Sequence, residues 1–181
     1  MIFPLFRRNP QAPTISTLYG MIVAQARLPC FYCEYAVADT VNGRFDLIVL
    51  HLALLLDRLA QDGALQSLGQ GVFDRFCQDM DDNLREIGIA DLKVPKEMQR
   101  MGEACYGRAQ AYRSALTAND GATLVAALER NMYGGATATP ARRLAAYMRE
   151  ALRDLAGQDA SRLASGELHF PDPVLVREIA I

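Results

Sequence analysis

One segment of this chain constrains the fold more than any other. The sequence "VNGRFDLIVLHLALLLDRLAQDG", residues 41–63, is apolar almost all the way round a helix and ends at a glycine. Because such a helix has no polar side to turn towards water, other elements must surround it. Its longest apolar stretch, Leu47–Leu56, is about half as long as a membrane span and contains His51. The segment therefore predicts a central helix buried inside a soluble protein.

The rest of the chain also carries the helical period of hydrophobic residues rather than strand alternation. Thr14 or Ser16 is a plausible cap for the first helix, and Asn119 or Asp120 for the fifth. Including the central one, the period predicts six helices, at 14–29, 41–63, 67–88, 94–116, 119–135 and 139–157.

Two of these segments have well-defined apolar stripes. The inward stripe of 67–88 consists of Leu68, Val72, Phe76, Met80, Leu84 and Ile87. The inward stripe of 94–116 consists of Met98, Met101, Cys105, Ala109 and Tyr112. We therefore expect an all-α fold, a single compact domain of about six helices with an extended C-terminal tail. Its expected parts are a flexible or membrane-touching N-terminus (1–13), a helical domain (14–157) and a tail packed on it (158–181).

Composition and the cysteines narrow the class of protein. About half of the residues are apolar and the net charge is −2, which gives no general attraction to nucleic acid. Four irregularly spaced cysteines do not form the framework of a secreted disulfide scaffold. The start, "MIFPLFRRNP", lacks the order and the cleavage site of a signal peptide. These features predict a cytoplasmic protein.

Candidate catalytic and metal-binding residues are few, and a structural role is favoured for each. Asp79, Asp82 and Glu86 lack the second acidic segment that a diphosphate-bound magnesium site requires, and they are typical of a solvated helix face. Cys30 and Cys33 form a C-x-x-C pair without the strand–turn–helix setting of a redox site. A lone His51 in an apolar helix is typical of a core residue. We expect no enzyme activity, no cofactor, no metal site and no small-molecule substrate. The alternative is a cofactor-binding protein or magnesium-dependent enzyme that uses the acidic cluster or His51.

Charge is segregated along the chain. Residues 74–91 contain six acidic and two basic side chains, whereas residues 93–113 contain five basic and two acidic ones. The two segments either pair with each other or form a surface that orients a charged partner. Tyr106, Arg108 and Tyr112 are of the residue types enriched at interface hot spots. Gly107, in the middle of a helix, would allow another backbone to approach closely.

Three segments together resemble the ubiquinol–cytochrome c chaperone family, whose members are assembly factors of the cytochrome bc1 complex. They are "YGMIVAQARLPCFY" (19–32), "DTVNGRFDLIVLHLALLLDRL" (39–59) and "FCQDMDDNLREIGIADLKVPKEMQRMGEACYGRAQAY" (76–112). The chain is similar to a bacterial member without a presequence. The paired Cys30 and Cys33, and Pro95-Lys96, depart from the pattern expected of the family.

The resemblance implies a non-enzymatic chaperone that binds newly made cytochrome b and promotes assembly of the bc1 complex. It also implies two further partners, the ribosome and a small helper protein. The partner-binding candidates in the best-matching motif are Asp79, Asp82, Arg85, Glu86, Lys93, Lys96, Arg100, Tyr106, Arg108 and Tyr112.

The N-terminus raises a separate hypothesis of peripheral contact with the cytoplasmic face of the inner membrane. Its apolar residues would insert at the interface while two arginines meet the head groups. The tentative membrane-contact residues are Phe3, Leu5, Phe6, Arg7 and Arg8.

Overall fold

The computed structural model describes residues 10–118, 120–135 and 138–176, and within these ranges all repeating secondary structure is helical. The predicted all-α class is confirmed, and the six predicted helices correspond to the six long ones. In chain order the helices are α1 (Ala12–Ala26), α2 (Pro29–Cys33), α3 (Val41–Ala60), α4 (Gln66–Glu86), α5 (Val94–Thr117), α6 (Gly121–Met132), α7 (Ala138–Gly157) and α8 (Ala160–Ser165), with a short 3-10 turn at Gly63–Leu65.

The helix ends follow local chemistry that the sequence indicated only in part. Asp120 caps α6, since its carboxylate accepts hydrogen bonds from the backbone N–H groups of the first turn. The start of α1 was predicted too late. The helix begins at Ala12, and Pro13, whose fixed φ suits a first turn, lies in that turn before Thr14 and Ser16.

Helix α3 is the centre of the molecule, as its apolar sequence predicted. It packs against α1, α4, α5, α6 and α7. Leu47, Leu50, Leu55 and Leu59 are completely buried, so this helix is surrounded along most of its length. Thr40 caps it by accepting a hydrogen bond from the N–H of Gly43.

Helices α4 and α5, residues 66–117, form a hairpin that packs on α3. Gly88 adopts a φ of +86° just after α4, a left-handed conformation that suits glycine and lets the chain turn back. Ile87 was predicted to face inward, but it lies beyond the last turn of α4 and is 66% exposed. The helical period had been extended one residue past the end of the helix.

The part of the tail at residues 167–176 is non-helical and lies over the bundle, whereas the predicted tail, 158–181, also includes helix α8 (Ala160–Ser165), and its residues 177–181 lie outside the described ranges. Gln25 of α1 donates a hydrogen bond to the carbonyl of Pro171 at 3.0 Å. The Tyr35 hydroxyl donates to the carbonyl of Pro173 at 2.7 Å. Phe170 is buried and presents its ring at right angles to that of His51. Side chains of the bundle thus hold the tail through its backbone carbonyls.

Within the described ranges, no helix has the length and apolar character needed to span a bilayer. The membrane-contact candidates Phe3, Leu5, Phe6, Arg7 and Arg8 lie outside those ranges, so that hypothesis remains a prediction.

Candidate partner-binding surface

All ten predicted partner-binding residues lie on the α4–α5 hairpin. Most of them are exposed, whereas Asp79 and Arg108 are partly buried and Tyr112 is buried. Asp79, Asp82, Arg85 and Glu86 belong to α4, and Lys93, Lys96, Arg100, Tyr106, Arg108 and Tyr112 lie at the start of α5 or on it.

The opposite charges of the two helices do not neutralise each other. In the part of the chain that the structure describes, no ion pair joins α4 to α5. Arg85 pairs with Asp81 at 2.7 Å and with Asp91 at 2.6 Å, all near the end of α4. The ion pairs of α5 lie within that helix, as in Arg100–Glu97, or lead to α3, as in Arg113–Asp57. The explanation that the acidic and basic segments pair with each other is therefore wrong.

Four charged side chains around the turn of the hairpin form no ion pair within the described residues. They are Asp82 and Glu86 on α4, and Lys93 and Lys96 at the beginning of α5. All four are exposed, so the hairpin presents adjacent acidic and basic groups to solvent. Exposed charges of this kind contribute little to stability and more to the orientation of a partner.

Asp79 has a structural role in addition to its position on α4. It accepts a hydrogen bond from the Tyr19 hydroxyl of α1 at 2.7 Å, and it lies 3.8 Å from Arg75. Burial of Tyr19 and the neighbouring carboxylate both raise the pKa of that phenol. Asp79 therefore connects α4 to α1 and is only partly available to a partner.

Arg108 is turned mostly, and Tyr112 entirely, towards the inside of the molecule. Arg108 pairs with the buried Asp46 of α3 at 3.0 Å and lies over the ring of Phe45. Tyr112 is only 1% exposed, so its assignment to the partner surface is wrong, whereas its place on the inward stripe is confirmed. The residue type of Tyr112 had suggested a position at an interface, but the helical period of apolar residues correctly placed it on the inward side of α5.

The polar groups between α3 and α5 are incompletely bonded. Arg108 Nε and the Tyr112 hydroxyl are buried without a hydrogen bond, whereas Asp46 Oδ1 lies 3.0 Å from Arg108 Nη2 in the ion pair but outside hydrogen-bond geometry. Burial raises the pKa of Tyr112, and Asn131 lies close enough to act in the opposite direction, yet that contact lacks good hydrogen-bond geometry. Burial raises the pKa of Asp46 to about 6, although Arg108 acts in the opposite direction.

An apolar groove of about 160 Å³ lies between α3, α4 and α5. Leu52 and Leu56 contribute from α3, and Phe73 contributes from α4. The α5 side includes Gly102 and Tyr106, and Tyr106 is 74% exposed. The groove is therefore a depression between three helices, and the exposed Tyr106 ring lies on its α5 side.

Gly102 is the residue of this groove that sequence reasoning missed. A glycine in a helix interior costs about 1 kcal/mol relative to alanine. A Cβ at Gly102 or at Gly107 would meet no atom within 4 Å, so no intramolecular contact requires a glycine at either position. Of the two, only Gly102 lines the groove. The same propensity argument that drew attention to Gly107 could have identified it.

The turn of the hairpin also exposes apolar surface. Leu92 is 96% exposed and Ile87 is 66% exposed. We call this pair the tip. Leu92 stands between Asp91 and Lys93, a pattern that gave no sign of a contact role in the sequence. Both residues of the tip are therefore accessible to the apolar surface of a partner.

His51, the alternative cofactor ligand, is fully engaged within the core. Its Nδ1 donates to the carbonyl of Leu47 at 2.8 Å, so its Nε2 accepts from the Tyr147 hydroxyl, also at 2.8 Å. Tyr147 in turn accepts a hydrogen bond from Gln25 at 3.0 Å. Burial lowers the pKa of His51 to about 4, which keeps the ring neutral. The structure therefore gives the cofactor alternative no support at His51.

The acidic cluster and the cysteines also lack the arrangement of a metal or redox site. Among the described residues, no group of three or more metal-binding side chains converges. Cys30 and Cys33 lie together on the short helix α2, and both are free thiols. Burial is the main cause that raises the pKa of Cys30 and of Cys105 to about 11, so few thiolates form at neutral pH.

A larger depression of about 510 Å³ lies beside α8 and the tail. The ionisable side chains on its wall already have partners: Arg162 pairs with Glu167, the His169 ring bonds to Asp154, and Asp159 caps α8 by accepting from the Ser161 N–H. The hairpin, with its unpaired charges and exposed apolar residues, is the stronger candidate for a functional surface.

Comparisons with known proteins agree with the helical architecture and indicate a family. The sequence model of the family described as ubiquinol-cytochrome C chaperone matches residues 34–170. The crystal structure of the Cbp3 homolog from Brucella abortus is similar, with 38% sequence identity and a TM-score of 0.85. That similarity covers 98% of this chain and 100% of the other. No curated protein matched the sequence.

Proposed function

Because the chain belongs to the ubiquinol–cytochrome c chaperone family, we propose that it binds newly made cytochrome b and promotes assembly of the cytochrome bc1 complex (ubiquinol–cytochrome c reductase). The observation that carries this proposal is the match to the family over residues 34–170, together with similarity to the Cbp3 homolog over almost the whole chain. In this proposal the protein holds a client and catalyses no reaction, and it acts in the cytoplasm with peripheral contact at the inner membrane.

The α4–α5 hairpin is the proposed client-binding surface. Its exposed charges can orient a partner, and its groove and tip can contact apolar parts of that partner. Nine of the ten sequence-derived candidates remain in the proposal, since Tyr112 is buried. Asp79 and Arg108 contribute chiefly by fixing α4 on α1 and α5 on α3.

A cross-linking experiment tests the proposal directly. The chain carries an N-terminal affinity tag, which leaves the packed tail unaltered, and replaces the native copy in its own cells. After mild cross-linking, membranes are solubilised and captured proteins are identified by mass spectrometry. We expect cytochrome b to be enriched several-fold over other abundant membrane proteins, and ribosomal proteins or a small helper would appear in the same sample.

Deletion of the gene provides a second test of the proposed function. Without the chaperone, assembled bc1 complex and its b-haem absorbance should fall, while a haem-containing terminal oxidase should be unchanged. Unchanged bc1 levels in the deletion strain, with no cytochrome b captured by a folded bait, would contradict the proposal.

A further inference from the structure

Two of the free cysteines face each other across the α4–α5 hairpin. Cys77 follows Phe73 by one turn of α4, and Cys105 precedes Ala109 by one turn of α5. Phe73, Cys105 and Ala109 all line the groove, so these sides of the two helices face each other. Because the arms of a hairpin run in opposite directions, Cys77 lies opposite Cys105, and both pack against the core.

The electrostatics of the two thiols agree with this placement. Burial is the main cause of the raised pKa of Cys105, and the neighbouring Cys77 is the next. Since the two residues belong to different helices, that influence acts across the seam of the hairpin. Burial, followed by the charge of Asp74, also raises the pKa of Cys77.

The geometry of two packed helices permits a bond at such a position. The axes of packed helices lie about 8–10 Å apart, and each Cα lies about 2.3 Å from its axis. Facing Cα atoms therefore come within reach of the separation that a disulfide requires, about 4.4–6.8 Å. Cys30 and Cys33, by contrast, lie on the same short helix, where a bond between them would join no two elements of the fold.

A bond between Cys77 and Cys105 would add a kind of link that the hairpin otherwise lacks. Over the ranges that the structure describes, α4 and α5 pack together without an ion pair between them. A covalent bond would fix the separation of the two helices. It would also fix one wall of the groove, since Cys105 belongs to that wall.

We propose that Cys77 and Cys105 form a reversible disulfide across the hairpin when the protein meets a small disulfide oxidant such as oxidised glutathione. Cys77 reacts first, because it is partly exposed whereas Cys105 is only 6% exposed. Its thiolate attacks one glutathione sulfur and releases one reduced glutathione. The Cys105 thiolate then attacks the Cys77 sulfur and releases the second. Two protons and two electrons thus pass from the protein to glutathione.

The raised pKa values determine how such a bond behaves. Few thiolates are present at neutral pH, so exchange with glutathione is slow there and faster at mildly alkaline pH. Thiols of high pKa are also poor leaving groups, so the bond, once formed, is reduced slowly. These are the properties of a structural cross-link and not of a catalytic redox site.

Peptide mapping of the full chain tests the proposal. The protein is incubated with oxidised glutathione at mildly alkaline pH, its remaining thiols are alkylated, and it is digested with trypsin without reductant. Cleavage after lysine and arginine places Cys77 in peptide 76–85, Cys105 in peptide 101–108, and Cys30 with Cys33 in peptide 28–44. We expect 76–85 joined to 101–108, two hydrogen atoms lighter than their sum, and separated again by a reductant.

Other products of the same digest would overturn the proposal. Bonds from either hairpin peptide to 28–44 would show that a different pair of cysteines reacts. Hairpin peptides that carry only glutathione or the alkylating group would show that Cys77 and Cys105 do not reach each other. The proposed function does not enter this inference, so either result leaves that function unaffected.

Thermal unfolding provides a second measurement, with a matched control. Oxidised wild type should melt about 5–10 °C above its reduced form, because the bond restricts the unfolded chain. Cys77→Ala, at a partly buried position, should lose this rise, whereas the double variant Cys30→Ala with Cys33→Ala should keep it. A rise that persists in Cys77→Ala, or that disappears in the double variant, would contradict the proposal. If Cys77→Ala does not fold, the peptide map of the wild type decides.

Discussion

The two sides of α3 differ in how many of their buried polar groups form hydrogen bonds within the chain. On the side covered by the tail, Gln25, His51 and Tyr147 form a continuous series of hydrogen bonds that ends at the Leu47 carbonyl. On the side of the hairpin, Arg108 Nε and the Tyr112 hydroxyl are buried without a hydrogen bond, and Asp46 Oδ1 is held by its ion pair with Arg108. The tail completes one side, while no segment among the described residues completes the other.

This difference indicates where the molecule is closed and where it is open to a partner. A fully bonded polar network fixes a single arrangement of the core. Incomplete bonding, an empty groove and exposed apolar residues occur together on the hairpin side. Stability is therefore expected to depend on the tail side, and binding on the hairpin side.

The largest expected effect is the difference in stability between two variants, each of which removes the hydroxyl of a buried tyrosine. Tyr147→Phe should lower the free energy of unfolding by about 3 kcal/mol, because it leaves His51 Nε2 and one Gln25 N–H without a partner. Tyr112→Phe, at a hydroxyl that makes no hydrogen bond, should change it by less than about 1 kcal/mol. Urea denaturation of both variants measures the difference, and equal losses would remove the contrast between the two sides.

The next effect is the response of the tail side to acid. The pKa of His51 is lowered to about 4 from an ordinary value of 6.5, so the unfolded chain takes up a proton first as the pH falls. The resulting loss of stability should develop between pH 6.5 and pH 4 and reach about 2–3 kcal/mol. His51→Leu should be less stable at neutral pH but should lack this component. A variant with the wild-type slope would show that another group is responsible.

The smallest expected effect arises on the hairpin side. Here stability is lost as the pH rises, whereas on the tail side it is lost as the pH falls. The folded pKa of Asp46, about 6, lies above the ordinary value of 3.8, so its contribution to stability is present below pH 4 and is lost as the pH rises through 6. Between pH 4 and pH 7, Asp46→Asn should therefore gain about 1–2 kcal/mol relative to wild type. A constant difference in stability between Asp46→Asn and wild type over this pH range would contradict the assignment.

The helices could be predicted from the sequence because the spacing of hydrophobic residues is a local property of each segment. All six long helices, and the central position of α3, followed from it. The errors lie at the ends. Thr14 and Ser16 were proposed as caps although α1 already begins at Ala12, and Ile87 was placed inward although α4 has ended.

The candidate surface was predictable only as a region of the chain. Charge segregation pointed to the correct hairpin, but residue type alone placed Tyr112 at the surface. The groove arises where Leu56, Phe73 and Gly102 meet from three helices, and a spacing rule within one helix cannot anticipate that meeting. The tail contacts were equally inaccessible, because the acceptors are backbone carbonyls, which every residue type supplies.

The tail also imposes an order on synthesis. Gln25 and Tyr35 obtain their acceptors from prolines that follow them by 146 and 138 positions. At translation rates of about 5–20 residues per second, Pro171 is added roughly 7–30 seconds after Gln25. During that interval the aromatic residues beneath the tail can be covered only by transient contacts. The tail, which is made after the helices that it covers, therefore closes the core, and until it emerges the unfinished protein is itself exposed to aggregation.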